Sequence, residues 1–156
     1  MPIILTYGDS NTHGTAPMAH RTDRRRFCIG TRWPTVMAAA LGPNWHLVEE
    51  GLPGRTTQFD DPAMWPNMNG HVGLRMALAS HGPLDVLTIM LGTNDLKTRF
   101  APTPAQVAAG AAGLLDIALS VDIQDSYGPF KILLIRPPPV IATGCLEPEF
   151  VGGPAP

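Results

Sequence analysis

Three short polar clusters carry the residues that could do chemistry, and each one opens on glycine. They are Gly8-Asp9-Ser10-Asn11-Thr12-His13-Gly14, Gly51-Leu52-Pro53-Gly54-Arg55-Thr56-Thr57 and Gly92-Thr93-Asn94-Asp95. As a phosphate cradle the first would need two glycines four residues apart followed by Lys and Ser or Thr. Here five residues separate Gly8 from Gly14, and no lysine is near. A nucleophile loop fits better. Ser10 at the start of a helical turn lies among backbone N–H groups, Asn94 offers a side-chain amide, and Gly51 offers an unobstructed backbone N–H. A serine with such donors around it describes acyl transfer with an oxyanion hole. Ser10 alone would more commonly be a helix cap; the convergence of three clusters favours the catalytic reading.

Convergence requires the right elements. Ile3–Tyr7, Asp85–Leu91 and Lys131–Ile135 are apolar runs, the pattern of strands covered on both faces, and His46–Glu50 is a weaker fourth. Between them the spacing predicts three helices. One carries Trp33, Val36, Met37, Ala40 and Leu41 on a face and stops at Gly42-Pro43; a second runs from Val72 to Ser80. The third opens with a capping box, Thr103-Pro104-Ala105-Gln106, and continues through Val107, Ala111, Leu114, Leu115 and Ala118. Gly110 and Gly113 inside it imply close approach to a sheet. Strands alternating with helices make an α/β fold on a parallel sheet with helices on both faces. In such sheets ligands bind beyond the carboxyl ends of the strands, where all three clusters fall. The loops 15–30 and 52–69 are long enough to be functional.

These residues resemble the SGNH hydrolases, the GDSL-type esterases. The likeness lies in Gly8-Asp9-Ser10 with Thr12 and Gly14, the glycine after the second strand, and Gly92-Thr93-Asn94-Asp95. Glu49-Glu50-Gly51-Leu52, Arg55-Thr56-Thr57 and Asp60-Asp61-Pro62 are similar to the bacterial arylesterase and acyltransferase branch. The resemblance runs over essentially the whole chain. It implies a flavodoxin-like three-layer α/β/α sandwich, with Ser10 as nucleophile and an oxyanion hole formed by the Ser10 N–H, the Gly51 N–H and the Asn94 amide. Asp9 would stabilise the loop rather than act as base. The substrates implied are small acyl or aryl esters, with an alcohol as possible acyl acceptor, no metal and no organic cofactor.

Two departures accompany it. His13 stands where this branch often has tryptophan. The family's last block, Asp-x-x-His, has no counterpart, because none of His13, His20, His46, His71 or His81 has an aspartate three positions earlier. Residues 1–156 thus read as one domain of the family, ending before its last strand, helix and base. His46 and His81 belong at the opposite edge of the sheet, leaving His13, His20 and His71 as substitute bases to consider.

Composition bounds the partners. The 156 residues are 44% hydrophobic and 15% charged, with a formal net charge of −2, so no strong positive field exists for nucleic acid. No apolar run is long enough to span a bilayer, and the first residues show no basic leader, so a cytoplasmic address is the default expectation. Cys28 and Cys145 lack the spacing of a metal knuckle or redox pair. Six of the seventeen prolines fall in the last twenty positions, which predicts neither a regular helix nor a central strand there. The uncovered edge at Lys131–Ile135, and the run Arg24-Arg25-Arg26 as a possible contact, suggest a homo-oligomer. Two other readings stay open: a catalytically crippled chain kept as a binding or oligomer module, and a flavodoxin-like nucleotide binder.

Overall fold

The computed structural model describes residues 1–141 and 144–150. Its centre is a parallel sheet of β1 (Ile3–Gly8), β2 (His46–Gly51), β3 (Val86–Met90) and β4 (Lys131–Leu134), in the order β2-β1-β3-β4. Side chains alternate across a strand, so Leu5, Tyr7, Leu87 and Ile89 share one face of the sheet. There they pack with Leu74 and Leu78 of α3 (Gly70–His81) and with Leu114, Ile117 and Ala118 of α4 (Pro104–Leu119). Although its sequence pattern is weak, β2 pairs with β1 over six residues, from Ile3 with His46 to Gly8 with Gly51. The sheet flanked by helices is the expected α/β architecture, and its order reverses between β1 and β3. That reversal opens a crevice beyond the carboxyl ends of those two strands.

Several local expectations are corrected. The helix α2 (Trp33–Leu41) leaves Val36 and Leu41 more than 40% exposed and buries Pro34 and Thr35 instead. It docks by its first turn, where Arg32 holds Glu49 of β2 through Nε at 2.6 Å and Nη2 at 2.8 Å. The capping box of α4 is present, yet its glycines approach other partners than the sheet. A Cβ on Gly110 would lie 2.0 Å from Thr57 Oγ1, and one on Gly113 would lie 2.6 Å from the His71 ring. The glycines therefore let α4 close on the loop after β2 and on α3. A further helix, α5 (Val121–Tyr127), has no fully buried residue; Ile123 and Tyr127 pack against the core, and one such pair in seven residues is too short a pattern to announce a helix. In the proline-rich tail, α6 (Glu147–Phe150) is a single turn that accommodates Pro148 near its start; residues 151–156 lie outside the described part.

Candidate active site

The chain leaves β1 at Gly8 and turns at once into α1 (Ser10–His13), so Ser10 stands at the mouth of the crevice. Asp9 caps that turn, accepting the Asn11 N–H at 2.8 Å. Gly8 is required for the tight turn, because a Cβ there would sit 2.0 Å from Oγ1 of the buried Thr12. Thr12 therefore packs α1 onto the strand end and takes no part in the cavity wall. Gly51 serves the same packing. A Cβ on it would come within 2.3 Å of the His13 nitrogen, and Gly51 lies outside the cavity that Ser10 lines.

That cavity measures about 880 Å³ and contains Ser10, Asn11 and His13 from the first cluster with Thr93 and Asn94 from the third. From the second cluster it contains Gly54 rather than Gly51. Leu52-Pro53-Gly54-Arg55 forms a tight turn, closed by Arg55 N–H on the Leu52 carbonyl at 3.0 Å, with Gly54 at φ +94°. Proline followed by a positive-φ glycine is the residue pattern of such a turn, and that signal was available in the sequence. No backbone hydrogen bond uses the Gly54 N–H among the described residues.

Buried polar contacts hold the three clusters in register. Asn94, only 6% exposed, donates one amide hydrogen to the Arg55 carbonyl at 3.1 Å, which fixes the plane of its amide. Arg55 in turn donates to the carbonyls of Gly8 at 3.1 Å and Glu50 at 2.6 Å, and its guanidinium lies over the Tyr7 ring. Asn11 Nδ2 donates to Thr93 Oγ1 at 3.2 Å. Asp95, fully buried, accepts from the Thr57 N–H at 2.9 Å and from its hydroxyl. Burial raises the Asp95 pKa, against the pull of those bonds.

A wall of charge closes another side. Asp61 receives Lys97 Nζ at 3.0 Å and Arg99 Nε at 2.9 Å, while Glu149 receives Arg99 Nη2 at 2.8 Å and also pairs with Arg21. Burial alone would push the Asp61 carboxyl up, but hydrogen bonds from Lys97 and Arg99 hold it below the ordinary range.

The histidines separate clearly. His71 donates Nε2–H to the Gly110 carbonyl at 2.8 Å between α3 and α4, and His81 meets Glu50 Oε1 at 2.8 Å. His20 is exposed and, like His71, lies outside the cavity wall. His13 alone of the five lines the cavity, with Nδ1 on Thr15 Oγ1 at 3.0 Å. Burial first, then the charges of Arg26 and Arg32, hold its pKa below the ordinary histidine value. Among the described residues, no side-chain hydrogen bond joins Ser10 to a histidine.

Residues 6–150 match the GDSL-like Lipase/Acylhydrolase family, and the chain belongs to it. It is accordingly a carboxylic ester hydrolase of SGNH type. Among solved structures it is similar to Est24, a carbohydrate acetylesterase from Sinorhizobium meliloti. The identity is 40% and the TM-score 0.88, over 98% of this chain and 73% of that one. The inhibitor-bound aryl esterase of M. smegmatis matches at 37% identity and TM-score 0.88, over the same 98% and 73%. A carbohydrate acetylesterase family member, also from Sinorhizobium meliloti, matches at 35% identity and TM-score 0.83, over 98% and 71%. Among curated proteins nothing matches.

The buried cap residue gives a test of the loop's electrostatics. Burial lifts the Asp9 carboxyl to about 6, against the pull of the Asn11 N–H. The folded state thus prefers neutral Asp9. Its contribution to stability is present below pH about 4 and is lost as pH rises through about 6, by roughly 3 kcal/mol. Asp9→Asn keeps the acceptor for the Asn11 N–H and removes the titration. Urea unfolding at pH 4 and pH 8 is expected to show a smaller loss between the two in the variant than in the parent. An identical loss in both would assign the pH dependence to other groups.

Proposed function

We propose that the protein hydrolyses small acyl or aryl esters through an acyl-enzyme on Ser10. The observation that carries this reading is that Ser10, Gly54 and Asn94 share one cavity at the point where the strand order reverses. Ser10 Oγ attacks the ester carbonyl and loses its proton to a base. The oxyanion is received by the N–H groups of Ser10 and Gly54 and by the free amide hydrogen of Asn94. Collapse expels the alcohol or phenol, which takes up a proton. Water then attacks the acyl-serine and releases the acid; an alcohol in place of water gives a new ester. The resemblance assigns the base to a late Asp-x-x-His block. The acyl or aryl nature of the substrate is supported by the names of the similar esterases and by an apolar wall that includes Met64, Trp65 and Ile141.

Incubation with an activated aryl acetate tests the covalent step. An acetyl group is expected on the peptide that contains Ser10, detected by mass spectrometry. Among the described residues no histidine bonds to Ser10, so in residues 1–156 the attack of water on the acyl-serine is expected to be slow and the adduct to accumulate. Acetylation found only on lysines would remove Ser10 from the mechanism.

A second reading, association through the sheet edge, has its own observation. The outer side of β4 is unpaired among the described residues, and Leu133 and Leu134 are 54% and 45% exposed. Residues 1–156 are expected to self-associate through this edge. Light scattering that gives a monodisperse monomer at high concentration would contradict it.

A further inference from the structure

We infer that the ester accepted by this cavity carries an anionic group, a carboxylate or a phosphate, and that Arg24 and Arg25 receive it. The inference rests on the cavity being the ester site proposed above.

The cavity has two kinds of wall. One is apolar and suited to a ring or short alkyl chain, with Met18, Met64, Trp65 and Ile141. The other is charged and unbalanced: Arg21, Arg24, Arg25 and Lys97 face only two carboxylates, Asp23 and Glu149. Both acids are already engaged. Glu149 is shared by Arg21, Arg99 and Lys97, and Lys97 is also held by Asp61. Asp23 accepts the Ala19 N–H at 2.9 Å and the His20 N–H at 3.3 Å, and stands 3.7 Å from Arg25.

Arg24 is held differently. Its Nη1 donates to the carbonyls of Arg21 at 2.8 Å and Asp23 at 2.9 Å, which orient the guanidinium without neutralising it. Arg25 is tied by Nη2 to the Pro17 carbonyl at 3.0 Å and only loosely paired by the same nitrogen with Asp23, at 3.7 Å. Each keeps donors on its remaining edge, and a guanidinium edge matches the geometry of a carboxylate or a phosphate. The positive rim is local, because the whole chain carries a net charge of −2. A pair of solvated loop arginines would be indifferent to the ligand's charge once it sits in the cavity. Arginines fixed at its mouth would not be.

Amide analogues that an esterase leaves intact separate these cases by calorimetry. The probes are para-acetamidobenzoate, para-acetamidophenyl phosphate and neutral para-methylacetanilide. At low ionic strength the anionic probes are expected to bind about three- to tenfold more tightly than the neutral one, the scale of exposed charge pairs. The tighter of the two anions identifies the group. The preference is expected to vanish in the Arg24→Gln, Arg25→Gln double variant and to shrink in about 0.5 M salt. Equal binding of the neutral probe, or a preference that survives both replacements, would overturn the inference. Should the double variant fail to fold, a preference unchanged by salt would overturn it equally. Acetylation of the Ser10 peptide by an uncharged activated aryl acetate reports separately on the Ser10 reading.

Discussion

Replacing Ser10 by alanine is expected to change hydrolysis of phenyl acetate by residues 1–156 very little. The same substitution should cost roughly 10⁶-fold in a form that also carries a histidine positioned on Ser10. The asymmetry comes from the chemistry of the nucleophile. Without a base, Ser10 is a neutral alcohol at neutral pH and attacks poorly. What remains is stabilisation of the oxyanion, which sustains roughly 10³–10⁴ over the uncatalysed reaction. None of the described histidines bonds to Ser10, and His13, the one in the cavity, is turned to Thr15. The measurement pairs the two serine variants, one in residues 1–156 and one in a form extended by the family's Asp-x-x-His block. Strong activity of the shorter form that disappears with Ser10→Ala would mean that a base already operates there, with His13 the first to replace.

Asn94→Ala gives the complementary result. Turnover should fall roughly 10²–10³-fold in both forms, with little change in KM, because the amide acts on charge that develops only in the transition state. In residues 1–156 the order is therefore inverted: loss of the amide costs more than loss of the nucleophile. The variant also leaves the buried Arg55 carbonyl without its Asn94 partner, at about 1–3 kcal/mol. Urea unfolding establishes that it is still folded. A folded Asn94→Ala protein with unchanged turnover would exclude the amide from the oxyanion hole.

The strands and the long helices were legible because their apolar residues repeat with the period of the element, and the turns beside them carry glycine or proline. The serine and asparagine of the site were legible because they follow strand ends. Gly51 also follows a strand end, which marks it as a candidate donor, but a Cβ there would meet the backbone of His13, and it is Gly54 that lines the cavity. Gly54 needed the turn chemistry of Pro53-Gly54 instead. The exposed stripe of α2 has a similar lesson: a helical period shows a face but not whether the helix docks along it or by its end. The hydrogen bonds among Asp61, Lys97, Arg99 and Glu149 join residues 36 to 50 positions apart, and no local pattern announces them.

That charged cluster also limits how the cavity could be re-engineered. Asp61 lies in the loop after β2, Lys97 and Arg99 follow β3, and Glu149 belongs to α6. Lys97 is only 3% exposed, so a loop graft that omitted the acid at 61 would leave a buried cation without its main partner, at about 3–5 kcal/mol. The loops around this pocket are thus exchangeable only as a set. Directed changes to its selectivity would do better to begin at the arginines of the rim, whose replacement leaves the cluster's acids paired.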